Sequence, residues 1–314
     1  FPARGAMTPP TALNWLFLVS LGLIWGASFM FVTIALEGVG PLMLVACRLC
    51  MGALLLLGIA YVRGAGLPRM RGEGAGLIWL CVLAMGVLSN ALPFFLLGWG
   101  QQYVASGFAG VCMSVVPLLV LPLAHFFVPG GQMHLRRLIG FLIGTCGVIV
   151  LIGPDALSQT GAEFETTARL ACVAAAACYA MGSIITRLCP AVDMLSLSAA
   201  ALSVGALIIT PIALVLEPLP SDLSTRSLLA LLYLGILPTG IAQLMLVSII
   251  RSAGPVFMSL VNYQVPIWSV ILGVLILSEE LPSGVIAALG LILFGVALSQ
   301  LGALKRLFQA RRRT

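Results

Sequence analysis

What this chain has least of is charge. Only 8% of its 314 residues are Asp, Glu, Lys or Arg, against about a quarter in a soluble domain. With 61% hydrophobic residues and a mean hydropathy of +1.15, no single soluble core hides so much apolar surface, and lipid has to be the solvent. Histidine is nearly missing, with His125 and His134 as the whole complement. There is no H-E-x-x-H, no pair of buried aspartates and no membrane-embedded Ser with a His partner, so an intramembrane enzyme is not expected. The eight cysteines stand singly in apolar stretches apart from Cys47 and Cys50, which lack neighbouring His or carboxylate partners. Packed, reduced thiols are expected there, and neither a metal nor a cofactor.

What the chain does have is a series of long apolar runs. Ten can be marked, over 13–36, 41–62, 74–97, 104–127, 135–152, 168–188, 194–216, 227–249, 256–277 and 284–304. Each is close to the roughly 20 residues that cross a bilayer as a helix. The connecting segments are too short for a soluble domain, so the expected fold is an all-α integral membrane protein of ten transmembrane helices. No small-residue cleavage site follows the first run, which is therefore expected to be a retained helix.

Charge orients the spans. With the N-terminus in the cytoplasm and sides alternating, 13 of the 16 Lys and Arg fall in cytoplasmic segments, Arg169 and Arg226 lie outside, and Arg48 lies within a span. This is the positive-inside pattern, and eight of the ten acids fall on the outer side. The expected location is the inner membrane, multi-pass, with both termini cytoplasmic. The basic tail "KRLFQARRR" (305–313) reads as a solvated stretch drawn to anionic lipid headgroups rather than as a nucleic-acid site.

The chain also contains itself twice. "NALPFFLLGWGQQYVASGFAGVCMSVVPL" (90–118) aligns with "TGIAQLMLVSIIRSAGPVFMSLVNYQVPI" (239–267) at an offset of 149, which sets Pro117 over Pro266, Asn90 over Thr239 and Phe94 over Gln243. Upstream, Gly86 falls on Gly235, and "IWGASFMF" (24–31) sets Trp25 over Tyr179 of "CYAMGSII" (178–185). Five helices per half is an odd number, so the second half enters the membrane from the opposite side. The two halves then form an inverted repeat, an architecture of transporters that expose a central site to each side in turn. The expected organisation is a cytoplasmic N-terminal segment (1–12), a first five-helix repeat (13–152), an external linker (153–167), a second five-helix repeat (168–304) and a basic cytoplasmic tail (305–314).

Two such halves, the "WGASF" of the first helix, the prolines of the fourth and ninth helices, and "LSEEL" followed by "AALGLILFGVAL" resemble the drug/metabolite transporter superfamily, EamA type. Glu279 matches the glutamate of that family's LGE pattern, whereas "FFVPGGQMHLRR" in the first half carries none. Within the superfamily the chain is most similar to the YddG group of amino-acid exporters. That resemblance implies aromatic or other neutral amino acids as substrates, with a multidrug or other metabolite exporter of the same superfamily as the alternative. A non-transporting membrane scaffold is the third reading, and the duplication argues against it. A monomer is compatible with the sequence, and the partners expected are a small-molecule substrate and membrane lipid.

Candidate site residues follow from spacing. In the ninth run Ser259, Asn262, Tyr263, Pro266 and Ser269 follow i, i+3, i+4, i+7 and i+10, one stripe of a helix, with Gln264 and Trp268 on another face. Repeat-related stripes offer Ser114 and Pro117 in the fourth run, Asn90, Pro93 and Phe94 in the third, Pro238, Thr239 and Gln243 in the eighth, and Trp25, Ser28 and Tyr179 in the first and sixth. Unpartnered amides are costly in hydrocarbon, so these residues face other helices or a watery cavity. The reading adopted for Trp25, Ser28, Asn90, Phe94, Ser114, Tyr179, Thr239, Gln243, Asn262 and Tyr263 is substrate contact. Pro93, Pro117, Pro238 and Pro266, each removing a backbone donor, are read as conformational breaks. Arg48 either snorkels or pairs with a carbonyl, or gates the outer mouth. Gly22-x-x-x-Gly26 and Gly140-x-x-x-Gly144 read as helix-packing motifs. No Asp or Glu lies near the middle of any span, which favours a neutral or zwitterionic substrate over a cation.

The orientation is testable by thiol labelling. In a cysteine-free background, Ser158→Cys is expected to react with an impermeant reagent from outside the cell and Gly66→Cys is not; the reverse pattern would overturn the charge assignment.

Overall fold

The structure, a computed structural model, describes residues 10–128, 133–152, 164–220, 222–281 and 284–310. Every regular element among them is helical. Eight helices are long and apolar enough to cross a membrane: α1 (Ala12–Leu36), α2 (Pro41–Val62), α3 (Ala75–Gly100), α4 (Ser106–Phe127), α5 (Leu135–Ile152), α6 (Glu165–Leu188), α7 (Met194–Leu216) and α8 (Thr225–Ile250). Two shorter apolar helices follow, α9 (Val261–Leu277) and α10, apolar over Val285–Leu301. The run at 256–277 is not one helix. Helical backbone continues past α8 to Met258 through a kink at Gly254, whose φ of 84° suits glycine, and breaks again before α9. Most of the N-terminal segment and of the external linker, Ser158 included, and the last four residues of the basic tail lie outside the described residues.

Several helices start on ordinary local caps. The Thr11 hydroxyl accepts from the Asn14 N–H (3.3 Å), Asp193 from those of Leu195 and Ser196 (2.9 and 3.1 Å), and Ser224 from that of Ser227 (3.1 Å). Two helices are capped from a distance. Glu217, just past α7, accepts from the backbone N–H of Leu42 (2.9 Å) and Met43 (2.8 Å) at the start of α2. Glu279, just past α9, accepts from the N–H of Ser106 (2.8 Å) and Gly107 (3.1 Å) and from the Ser106 hydroxyl (3.0 Å) at the start of α4. Each carboxylate satisfies donors that lipid would leave bare and sets a negative charge at the positive end of a helix dipole.

The two halves of the chain interleave. α1 packs on α9, α2 on α7, α5 on α10, and α4 on both α9 and α6. Glycine sets how closely some of these axes approach. A Cβ on Gly26 would come 2.5 Å from that of Trp268, and one on Gly22 would come 2.8 Å from that of Gln264. Gln264 and Trp268 are therefore spent on the α1 contact. At Gly140 a Cβ would run into the Gly295 backbone of α10, and at Gly144 into the Leu118 side chain.

If Glu279 anchors α4, Glu279→Ala should lower the unfolding free energy by about 1–3 kcal/mol, read as a lower melting temperature in detergent. Glu280→Ala at the neighbouring exposed position should leave it unchanged, and equal effects would argue against the cap.

Candidate functional site

Two helices widen at mid-length. α3 is π-helical over Gly86–Ala91, and α8 is π-helical over Gly235–Ile241, starting 149 residues later. A π turn disturbs the i→i−4 ladder and leaves backbone groups to be satisfied by other means. In both helices a side chain does it from the same place. Asn90 Nδ2 donates to the Met85 carbonyl (2.9 Å) and Thr239 Oγ1 to the Leu234 carbonyl (2.7 Å), each five residues back. Pro238 removes a further N–H from α8, and its own carbonyl accepts from Trp25 Nε1 of α1 (3.1 Å).

A cavity of ≈ 490 Å³ lies against these two widened segments, within the 300–1,000 Å³ range typical of small-molecule sites. Trp25, Phe94 and Tyr179 give it aromatic walls; Asn90, Gln243 and Asn262 supply amides, and Ser28 and Thr239 hydroxyls. The polar groups are held by neighbours. Ser28 Oγ donates to the Trp25 carbonyl (2.6 Å), Gln243 Nε2 to Ser198 Oγ (2.6 Å), and the Phe94 and Tyr179 rings lie 6.5 Å apart between centroids.

Not every expected residue comes to the cavity. Ser114 is fully buried, donates to the Val111 carbonyl (2.6 Å) and is absent from the lining. Tyr263 packs against the apolar core, and its buried hydroxyl has no partner. The ninth-run stripe divides: Ser259 and Asn262 face the cavity, beside Val265 from outside the stripe, while Ser269 turns to α4, where Gly110 makes room for it. A stripe at i, i+3, i+4 and i+7 covers an arc of about 100°, wider than the cavity's edge on α9. Of the four prolines only Pro238 lines the cavity; Pro93, Pro117 and Pro266 are buried elsewhere.

Arg48 neither snorkels nor pairs with a carbonyl. It is 7% exposed and lines the cavity; its Nε donates to Thr239 Oγ1 (2.8 Å), and its guanidinium carbon sits 3.7 Å from the centroid of the Phe94 ring. The lining otherwise holds no Asp, Glu, Lys or Arg among the described residues.

Sequence reasoning missed the contribution of α7. Ser198, Ala201 and Leu202 form part of the wall, and the small-residue run "SLSAAAL" (196–202) was the available signal. It marks where α7 meets the widened part of α3, so closely that a Cβ on Gly86 would lie 2.9 Å from the Ala201 carbonyl. The lining extends to Ile250 and Met258, towards the end of the bundle opposite the two glutamate caps.

A helical membrane bundle whose interrupted helices wall a central cavity has the form of a membrane transporter. The chain belongs to the EamA-like transporter family, whose profile matches it twice, over residues 13–153 and 166–301. It is 30% identical to the uncharacterized inner membrane transporter YedA of Escherichia coli, over 94% of this chain and 92% of that protein. It is also 23% identical to the uncharacterized transporter YoaV of Bacillus subtilis, over 90% and 94% of the two chains, and 26% identical to the protein PecM of Dickeya dadantii, over 82% of each. One solved crystal structure shares the fold at a TM-score of 0.65 and 22% identity, covering 92% of this chain and 98% of its own.

Thr239 joins the π segment to Arg48, so Thr239→Val should destabilise the protein by about 1–2 kcal/mol, and Thr239→Ser should recover most of that loss. Equal melting temperatures for wild type and Thr239→Val would show that the two hydrogen bonds carry no net stability.

Proposed function

We propose that the protein exports small neutral metabolites, aromatic or other neutral amino acids foremost, by alternating access around the central cavity, as the resemblance to the YddG group implies. The observation that carries this reading is the lining itself. Aromatic rings give apolar area and stacking for a side chain, and a few amides fix the polar end of the cargo. With no acid in its wall among the described residues, the cavity offers no carboxylate to pair with a cationic drug.

Alternating access rests on reading the halves as an inverted repeat, and several facts support it. The family profile matches each half separately. The π segments, and the side chains that repair them, recur at the offset seen in the sequence. Helix pairing keeps its pattern when each helix is exchanged for the one five places away: α1 on α9 matches α6 on α4, and α3 on α7 matches α8 on α2. In the orientation given by the positive-inside pattern, the lining runs towards the cytoplasmic end. The protein is then poised to take cargo from the cell, and the resemblance gives no cause to invoke catalysis.

Reconstitution into liposomes preloaded with phenylalanine tests the reading. Saturable efflux is expected, absent from protein-free liposomes. Asn262→Ala and Gln243→Ala should each raise the half-saturation concentration about 2–10-fold. Tyr263→Phe, outside the lining, and Trp268→Phe, on the α1 contact, should leave it unchanged. If the first pair transport normally and the second pair do not, the path lies elsewhere.

A further inference from the structure

Among the described residues Arg48 has no counter-charge. It is 7% exposed, deep in α2. The two ion pairs among the described residues involve Arg169 and Arg226, and no described carboxylate is paired with Arg48. Among the described residues its only hydrogen-bond acceptor is Thr239 Oγ1, which takes Nε, while its flat face is covered by Phe94. The outer nitrogens of the guanidinium fork, which match a carboxylate in geometry, have no acceptor among the described residues and are not among the buried side-chain atoms sealed off without a partner, and the residue lines the cavity. A buried cation left this way is costly unless something else completes it.

We infer that the missing partner is the cargo: Arg48 is a docking point for a carboxylate, and the cavity takes molecules bearing one carboxylate on an apolar, preferably aromatic, body. This rests on the cavity being the transport site and narrows the substrate class of that site. Thr239 and Phe94 hold the fork in place, so it meets the anion with little loss of side-chain freedom. The position is not duplicated. α7 begins 153 residues after α2, and Gly52 and Gly205, that far apart, abut the Gly235 and Gly86 carbonyls alike; the same offset sets Arg48 over Ala201, an apolar residue 1% exposed in α7. A cargo with one carboxylate is therefore held one way round, its charged end towards α2 and the widened part of α8 and its body against Trp25 and Tyr179.

The test uses three probes that share a phenylethyl body: 3-phenylpropionate (carboxylate only), L-phenylalanine (carboxylate and ammonium) and 2-phenylethylamine (ammonium only). Binding to the purified full-length protein in detergent is read by tryptophan fluorescence and by melting shift. The acid is expected to bind at least tenfold more tightly than the amine. Arg48→Gln should weaken the acid at least tenfold while leaving the amine unchanged, and Arg48→Lys should recover part of the loss. If Arg48→Gln does not fold, the ranking of the acid and the amine on the unaltered protein decides.

Amine binding as tight as acid binding, no binding of any probe, or equal weakening of acid and amine by Arg48→Gln would overturn the inference, the last by reducing Arg48 to a structural role. Acid binding without phenylalanine binding would sustain it and reject the amino-acid reading alone. Phenylalanine binding that Arg48→Gln leaves untouched would do the opposite.

Discussion

Hydrocarbon offers no hydrogen bonds, so every interruption of a membrane helix has to be closed from within the protein. That constraint shapes the centre of this molecule. α3 and α8 both widen into π turns, and the freed carbonyls of Met85 and Leu234 are taken by Asn90 and Thr239. The Pro238 carbonyl is taken by Trp25 from another helix. The cavity forms where these interruptions meet. Asn90, Thr239 and Trp25 therefore have two duties, holding the backbone and facing the cavity.

The same constraint operates at the helix ends. At one end of the bundle Glu217 and Glu279 place carboxylates on the starts of α2 and α4, and Ser227 donates to the Ile34 carbonyl (3.2 Å). Neutral cross-links at the other end include Ser252 to Asn14 (2.8 Å) and Ser196 to the Ala65 carbonyl (3.2 Å). Charge-assisted bonds are the stronger kind. A motion that opens the first end either breaks them or carries α2 with α7 and α4 with α9 as pairs. The close packing of those pairs, with Gly110 seated against Ser269, favours the second course.

Near-symmetry in the backbone coexists with asymmetry in the side chains. Asn90 and Thr239 do the same work at corresponding places, while Phe94 and Gln243, or Arg48 and Ala201, do not resemble each other. On the proposed inverted-repeat reading, matching halves give two comparable packings of one bundle, which a two-state device needs. Differing side chains give the cavity one charged end and one set of aromatic walls, which recognition needs.

The sequence by itself determined the solvent, the helical class and the spacing of 149 residues at which the two π segments start. Low charge, apolar runs of bilayer length and the recurrence of Gly86 and Gly235 are properties of the linear chain. Helical spacing also brought Trp25, Asn90, Phe94, Tyr179, Gln243 and Asn262 forward as candidates before any contact was known. Tertiary structure decided what spacing leaves open. A stripe on a helix is wider than the surface any one neighbour covers, so only packing could send Asn262 to the cavity and Tyr263 to the core. Only packing could assign Trp268 to Gly26 and make the small residues of α7 a wall. It also placed Arg48 at the cavity, because a guanidinium on a long flexible stem goes where its partners are, and those partners, Thr239 and Phe94, come from two other helices.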